Sequence, residues 1–171
     1  MAPAGLDDLL SGLEGSGTRE MAFEETRDAD LLEEPMTLRG RVVFEPPDGL
    51  ERHVESPYRE AQIIRGERVR LYRNDRPAGR FSLDRAPELV VLRSALTGLL
   101  GGDREALESS FRVEFESDDP DQWSLELFPA DSDLAGEVEA IRLTGSSGKI
   151  ETMTLTTAEG EVIETRLEPV P

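Results

Sequence analysis

The 171-residue sequence contains no cysteine, and only 5% of its residues are aromatic. Without cysteine the chain has no disulfide framework, no thiolate zinc site and no cysteine nucleophile. Its single histidine, His53, lies between charged residues in LERHVES, and no G-x-S-x-G motif accompanies it. No apolar run approaches the roughly 18 residues of a membrane-spanning helix. These absences exclude disulfide scaffolds and thiol chemistry, and they argue against a serine-hydrolase triad.

The sequence also contains few basic residues relative to acidic ones. Asp and Glu number 37 against 19 Lys and Arg, so the formal net charge is −18. Such an excess of negative charge repels nucleic-acid backbones and anionic membrane surfaces. We therefore expect no nucleic-acid partner. The acidic residues lie mostly on the polar side of alternating segments, where a solvated exterior accounts for them more simply than a cation site.

Periodic patterning extends over most of the sequence. A chain of 171 residues is expected to form one domain that buries roughly 70% of its unfolded surface. Leucines at i, i+3, i+4 and i+7 in GLDDLLSGLE predict a short amphipathic helix. A second helix is predicted over residues 86–100, because Pro87 suits a first turn and Gly101 ends the run. Alternating segments between Gly, Asn and Asp turns predict about ten or eleven strands in an antiparallel sheet.

The stretch FRVEFESDDPDQWSLELF raises the question of what its apolar face contacts. Six apolar side chains alternate with polar ones on either side of an Asp-Pro turn, as in strands with one buried face. The helix predicted over 86–100 is apolar nearly all round, so it needs cover on more than one side. Two interpretations remain open: the helices and sheet enclose a filled core, or the helices form a lid over an apolar cavity that receives a lipid.

Three other features resemble functional motifs but lack the required spacing or context. Asp131 and Asp133 begin DSDLAG, yet Ala135 and Arg142 occupy ligand positions of a calcium loop, so a helix cap is expected. The Gly-Lys step at 148–149 lacks the remaining residues of a phosphate-binding loop, which favours a hairpin loop. Carboxylate pairs are abundant in so acidic a chain, and a glycosidase stays open on carboxylates alone. We predict no catalytic residue, no metal and no cofactor.

The order of the elements resembles a known family. A Leu-rich helix is followed by a meander, a central apolar helix and a second meander containing W-x-L-x-L-x-P. The segments TLRGRVVFEPPDGLERHVESP, GERVRLYRND, GDREALESSFRVEF and IRLTGSSGKIETMTLTTAEG resemble the LolA-like outer-membrane lipoprotein carrier family, in its divergent LolA-related branch. The resemblance covers nearly the whole chain. It implies a mainly β fold with α-helices (α+β): an unclosed antiparallel β-barrel of about eleven strands whose concave apolar face is covered by helices acting as a lid.

The resemblance also implies one lipid-carrier domain over residues 1–171, with an N-terminal helix within 1–16 and a helical lid insertion at 86–110. The lid is expected to consist of the leucines Leu6, Leu9, Leu10, Leu13, Leu89, Leu92, Leu96 and Leu99. Lipid is expected to contact Phe23, Val43, Ile63, Leu71, Phe81, Phe111, Val113, Phe115, Trp123, Leu125 and Leu127.

The implied function is that of a periplasmic carrier, without catalysis, which shuttles the acyl chains of lipoproteins or other lipids toward the outer membrane. It implies a monomer, transient membrane-associated donor and acceptor proteins, and an export leader preceding Ala2. The alternative is a membrane-associated sensor or scaffold that uses the same fold to bind lipid or a protein partner. One departure from the family bears on the identity of the cargo. Better-known carriers have an Arg-Pro step whose arginine is thought to latch the lid. This sequence has Pro46-Pro47 at the same place.

Overall fold

The structure is a computed structural model that describes residues 5–13, 19–28, 33–45, 49–119, 122–146 and 148–169. The proline step at Pro46-Pro47 and the glycines predicted to end the first helix, Gly15 and Gly17, lie outside the described residues.

Eleven strands of the described chain form one antiparallel sheet, which confirms the predicted fold class. The spatial order is β6-β5-β4-β3-β2-β1-β11-β10-β9-β8-β7, so the sheet stays unclosed with β6 and β7 as its free edges. The strands are β1 (Arg19–Asp28), β2 (Met36–Glu45), β3 (Gly49–Ser56), β4 (Glu60–Arg65), β5 (Arg68–Arg73), β6 (Arg76–Ser82), β7 (Phe111–Asp119), β8 (Gln122–Pro129), β9 (Val138–Ser146), β10 (Lys149–Thr157) and β11 (Val162–Pro169).

Four α-helices accompany the sheet in the described residues: α1 (Leu6–Leu13), α2 (Pro87–Leu100), α3 (Arg104–Ser110) and α4 (Ser132–Ala135). Pro87 occupies the first turn of α2, as predicted. The side chain of Asp103 caps α3 by accepting a hydrogen bond from the Ala106 N–H at 3.0 Å. None of the helices described here has both the length and the hydropathy needed to cross a bilayer.

The apolar faces of β7 and β8 belong to the concave side of the sheet. Phe115 lies opposite Leu125, and Leu125 lies opposite Leu143 of β9. Leu125 and Leu143 are fully buried, and Phe115 packs against the same core. Because side chains alternate between faces, this register places the whole apolar face of the two strands in one continuous core with the helices.

The helices cover this concave side. All four leucines of α1 are buried, and α1 contacts both α2 and β10. α2 also packs against α3 and β9, so it is covered on several sides. Its nearly continuous apolar surface is therefore covered by neighbouring elements, as the sequence pattern required.

Candidate functional site: a cavity beneath the first half of α2

A cavity of about 560 Å³ lies between the N-terminal half of α2 and the concave face of the sheet. Its volume is within the range of about 300–1,000 Å³ that is common for small-molecule sites. The strands that border it are β1 to β4 and β9 to β11, together with the β10–β11 turn. Apolar side chains form much of its wall: Phe23, Val42, Leu89, Leu92, Val138, Ile141, Met153, Leu155 and Ile163.

A charge cluster adjoins this apolar wall. We use the name for Glu25, Arg27, Arg52, Glu88 and Glu161, all of which line the cavity. The Oε2 atom of Glu25 accepts hydrogen bonds from Arg52 Nη2 at 2.9 Å and from Arg27 Nε at 3.0 Å. Glu25 is only 5% exposed, and a carboxylate so deeply buried requires such charged partners.

Arg27 joins the sheet to the first turn of α2. Its Nη2 atom lies 3.3 Å from Glu88 Oε2, and its Nη1 atom lies 3.6 Å from Glu161 Oε1. Burial acts to lower the pKa of Arg27, but the surrounding carboxylates of Glu25, Glu88 and Glu161 raise it overall. Arg27 therefore remains charged and connects β1, the start of α2 and the residue before β11.

Glu88 experiences the opposite balance. Burial raises the pKa of its carboxyl group above the ordinary value, against the attraction of Arg27 and with a further upward contribution from Glu161. Its position in the first turn of α2 places it near the positive end of the helix dipole. The α2 helix thus carries a carboxyl group that is held at the cavity although its ionised form is disfavoured there.

Gln62 contributes an unsatisfied polar atom to the cavity wall. Its Oε1 is buried and has no hydrogen-bond partner among the described residues. A buried acceptor left unpaired costs about 1–3 kcal/mol. Together with the charge cluster, Gln62 gives the cavity a polar side suited to a ligand end that carries N–H or O–H groups.

The strand residues predicted to contact lipid fall into three groups. Phe23 lines the cavity. Phe111, Trp123, Leu125 and Leu127 are buried in the close-packed core, outside the cavity lining. The remaining members are half-buried: Val43, Ile63, Leu71, Phe81, Val113 and Phe115.

The half-buried group divides between the two faces of the sheet. Val43 and Ile63 follow and precede the buried residues Val42 and Ile64, so alternation directs them to the convex face. Leu71 lies opposite Gln62 and belongs to the concave face. The three others pack against the core from that side: Phe81, Val113 and Phe115.

The lid leucines are also divided by the structure. Leu89 and Leu92 line the cavity. The others are buried in the core that α1 and α2 share with the sheet: Leu6, Leu9, Leu10, Leu13, Leu96 and Leu99. The cavity therefore lies under the beginning of α2, and only two of the eight predicted lid leucines border it.

The charge cluster was missed at the sequence level, although a signal for it was present. Phe23, Glu25 and Arg27 are two residues apart in one strand and therefore share a face. Because Phe23 was expected to face inward, the two charged residues had to face inward as well. Charged residues were assigned to the solvent-facing side, so the inward orientation of Glu25 and Arg27 was not predicted.

Other candidate motifs occupy structural positions. Asp131 caps α4, its Oδ1 atom accepting from the backbone N–H groups of Asp133 and Leu134, which confirms the predicted cap. His53 Nε2 lies 2.8 Å from Glu51 Oε1 on β3, and neither of these two residues lines the cavity. In the part of the chain that the structure describes, no group of three or more His, Cys, Asp or Glu residues is arranged to hold a metal ion.

Fold and site together define a class of protein in which helices cover the concave apolar face of an unclosed antiparallel sheet and leave a cavity between the two. The chain belongs to the family described as outer membrane lipoprotein carrier protein LolA-like, whose model matches residues 2–169. The comparison with curated proteins found no match.

Solved structures of similar architecture are distant in sequence. A LolA superfamily protein from Nitrosomonas europaea is 11% identical with a TM-score of 0.48, over 98% of this chain and 92% of that one. A putative outer membrane lipoprotein-sorting protein domain from Vibrio parahaemolyticus is 16% identical with a TM-score of 0.45, over 92% and 86%. The Mycobacterium tuberculosis lipoprotein LppX is 15% identical with a TM-score of 0.41, over 96% and 92%.

Proposed function

We propose that this protein is a non-enzymatic carrier that binds the acyl chains of lipoproteins or other lipids in the cavity beneath α2. The cavity of about 560 Å³, with an apolar wall under a helix, is the observation that carries the proposal. Family membership supports it, since the family is described as a lipoprotein carrier. We further propose that it works in the periplasm and moves its cargo toward the outer membrane, receiving and delivering it through transient membrane-associated partners.

Hydrophobic transfer supplies the affinity in this proposal. Each buried methylene contributes about 0.8 kcal/mol, so eight methylenes would contribute roughly 6 kcal/mol before any cost of opening. The charge cluster and Gln62 would face the polar end of the ligand and fix its direction. Leu89 and Leu92 would contact the chain from the lid side, because both line the cavity.

Release requires that the closed, empty state be stable as well. Leu89 is only 7% exposed, so neighbouring residues of the protein itself cover most of this side chain. Cargo must displace part of that cover, which offsets some of the affinity and keeps binding reversible. We propose that the first turns of α2 move when cargo enters, because they border the cavity.

The first experiment is mass spectrometry of organic extracts from the protein purified under native conditions. We expect a co-purified lipid at a defined stoichiometry. A protein partner at equal stoichiometry, with no lipid, would instead favour the sensor or scaffold alternative.

A cavity-filling substitution tests the location of the site. Leu92→Trp should reduce uptake of a fluorescent fatty acid at least tenfold, because the larger side chain would occupy the cavity. Val90→Trp is the matched control: Val90 is also half-buried on α2 but lines a separate groove beside Phe111 and Leu134. Equal uptake by the two variants, with melting temperatures close to that of the parent, would contradict binding in this cavity.

A further inference from the structure

The negative charge of the chain is unevenly distributed. Residues 59–85 contain eight arginines and four acidic residues, a local charge of +4 in a chain with a total of −18. This stretch forms β4, β5 and β6, and β6 is a free edge strand of the sheet. All eight arginines are exposed. The molecule therefore has a basic region at one side although its net charge is negative.

The strand register concentrates this charge further. Three cross-strand pairs in the region consist of two arginines directly opposite each other: Arg65 with Arg68, Arg70 with Arg80, and Arg73 with Arg76. Like charges at directly opposed positions destabilise a sheet. Carboxylates of the neighbouring strand offset two of these six arginines, since Arg73 lies opposite Glu60 and Arg65 pairs with Glu51.

Four of these arginines share the convex side of the sheet. We name Arg65, Arg68, Arg70 and Arg80 the basic face. Each is adjacent in sequence to a residue that points into the core, such as Ile64 or Val69. Arg65 pairs with Glu45 and Glu51, while the side chains of the three others form no ion pair or hydrogen bond with any residue in the described ranges.

Protection of the free edge does not account for the basic face. Charged side chains on an edge strand do discourage pairing between molecules. However, either sign of charge achieves this, and β5, which carries Arg68 and Arg70, is flanked by a strand on both sides. The choice of arginine at all four positions points instead to an anionic ligand.

We propose that the basic face binds the phosphate headgroups of an anionic membrane surface. A guanidinium group donates two parallel hydrogen bonds to a phosphate, and several phosphates can separate arginines that otherwise repel each other. Tyr72 lies on the same face and Tyr58, 44% exposed, precedes Arg59. Tyrosine is enriched at the headgroup level of membranes because its ring is apolar and its hydroxyl is polar.

A membrane fits this surface better than a nucleic acid does. A duplex carries one charge per about 1.7 Å over a long distance and would meet the acidic remainder of the chain, which sums to −22. A bilayer contacts only the side turned toward it. Charges on the far side are screened beyond about 8 Å at physiological salt. The exposed Arg85, which lines the cavity, continues the basic region toward the proposed lipid site.

Vesicle sedimentation of the full chain tests the proposal, which goes beyond cargo binding and does not depend on it. The probes are phosphatidylcholine vesicles with and without phosphatidylglycerol at about 0.1 M salt, where the screening length is about 10 Å. We expect the parent protein to sediment only with the anionic vesicles and to be released at about 1 M salt.

Two matched triple variants separate the basic face from net charge. Arg68→Gln, Arg70→Gln and Arg80→Gln should weaken vesicle binding about a hundredfold, at about fivefold per arginine near an anionic surface. Arg39→Gln, Arg142→Gln and Arg166→Gln also change the net charge from −18 to −21 and should have a much smaller effect. The triple variant Arg68→Lys, Arg70→Lys and Arg80→Lys should largely retain binding, and it provides a second folded variant.

Several outcomes would overturn the proposal. These are equal sedimentation with neutral and anionic vesicles, equal losses in the two triple variants, or tighter binding of the parent to duplex DNA or to an acidic peptide than to vesicles. Absence of vesicle binding would refute it while leaving cargo binding intact, since fatty-acid uptake is measured separately without vesicles.

Discussion

At the scale of single residues, two aromatic rings lie over glycines of the neighbouring strand. Trp123 is directly opposite Gly145, and Phe23 is directly opposite Gly40. A Cβ atom at position 145 would lie 2.5 Å from the Trp123 ring and 2.1 Å from the Lys149 carbonyl oxygen. Glycine is required at this position because no side-chain atom fits between the strands and the ring.

Gly145→Ala should therefore destabilise the protein by about 1–3 kcal/mol, the usual cost of overpacking a close-packed site. Chemical denaturation measures this loss, and the emission of Trp123 should change because its ring must shift. Gly79→Ala is the control, since a Cβ atom there meets nothing within 4 Å. Equal stabilities of the two variants would show that the Trp123 contact is not restrictive.

A second residue-scale prediction concerns Glu88 and pH. Its pKa in the folded protein is raised, mainly by burial, so the folded state binds the proton more tightly than the unfolded state. This contribution to stability is complete below the unfolded pKa of about 4.3 and is lost as pH rises through the folded pKa. Thermal unfolding of the parent and Glu88→Gln should show the parent losing stability relative to the variant from about pH 4 to pH 7. A difference independent of pH would contradict the proposed burial of this carboxyl group.

At the scale of elements, Arg27 connects the sheet to the first turn of α2 through its ion pair with Glu88. Arg27→Gln would leave the carboxylates of Glu88 and Glu161 without their shared cation, and we expect a loss of about 1–3 kcal/mol. The first turn of α2 should be loosened, so a fluorescent fatty acid should enter faster, as stopped-flow mixing can measure.

Arg104→Gln is the matched control for this prediction. Arg104 also pairs with two carboxylates, Asp7 at 3.0 Å and Glu108, and it joins α1 to α3. It is exposed, however, and such surface ion pairs contribute about 0–1 kcal/mol. If both variants change uptake equally, the effect of Arg27 is not specific to the lid.

The strands and helices themselves could be predicted from the sequence, because alternation and turn residues are local signals. The inward face of a strand was harder to predict where apolar residues are consecutive. Val42-Val43-Phe44 permits either register, and the sheet buries Val42 and Phe44. Ile63-Ile64 presents the same ambiguity, and the sheet buries Ile64.

The place of the cavity could not be predicted from local patterns. It depends on how far the helical layer fills the concave face, and that is decided by contacts between residues distant in sequence. α1 contacts α2 and β10, α2 contacts β9, and the buried leucines of both helices belong to one core with Trp123 and Leu127. The cavity remains where the first half of α2 faces Phe23 and Ile163 instead.

At the scale of the whole molecule, the topology explains why helices cross the sheet. β6 and β7 are the two free edges, and the segment between them contains α2 and α3. The chain must therefore pass from one edge to the other, and the concave apolar face is the surface it covers. Both ends of this segment continue into strands, so α2 and α3 are anchored at each edge of the sheet.

The net charge of −18 acts on the whole molecule as well, since repulsion among like charges opposes the compact state. Raising sodium chloride from about 0.01 to 0.15 M shortens the screening length from about 30 to about 8 Å and should raise the melting temperature. Surface ion pairs weaken at the same time, but each contributes too little to reverse the trend.

Calcium, magnesium and zinc chlorides at matched ionic strength should give no saturable shift beyond this screening, because the described residues form no cluster of three metal-binding side chains and Asp131 caps a helix. A saturable stabilisation with one-site stoichiometry by any one of these ions would show that a metal site exists and that screening alone does not describe the response.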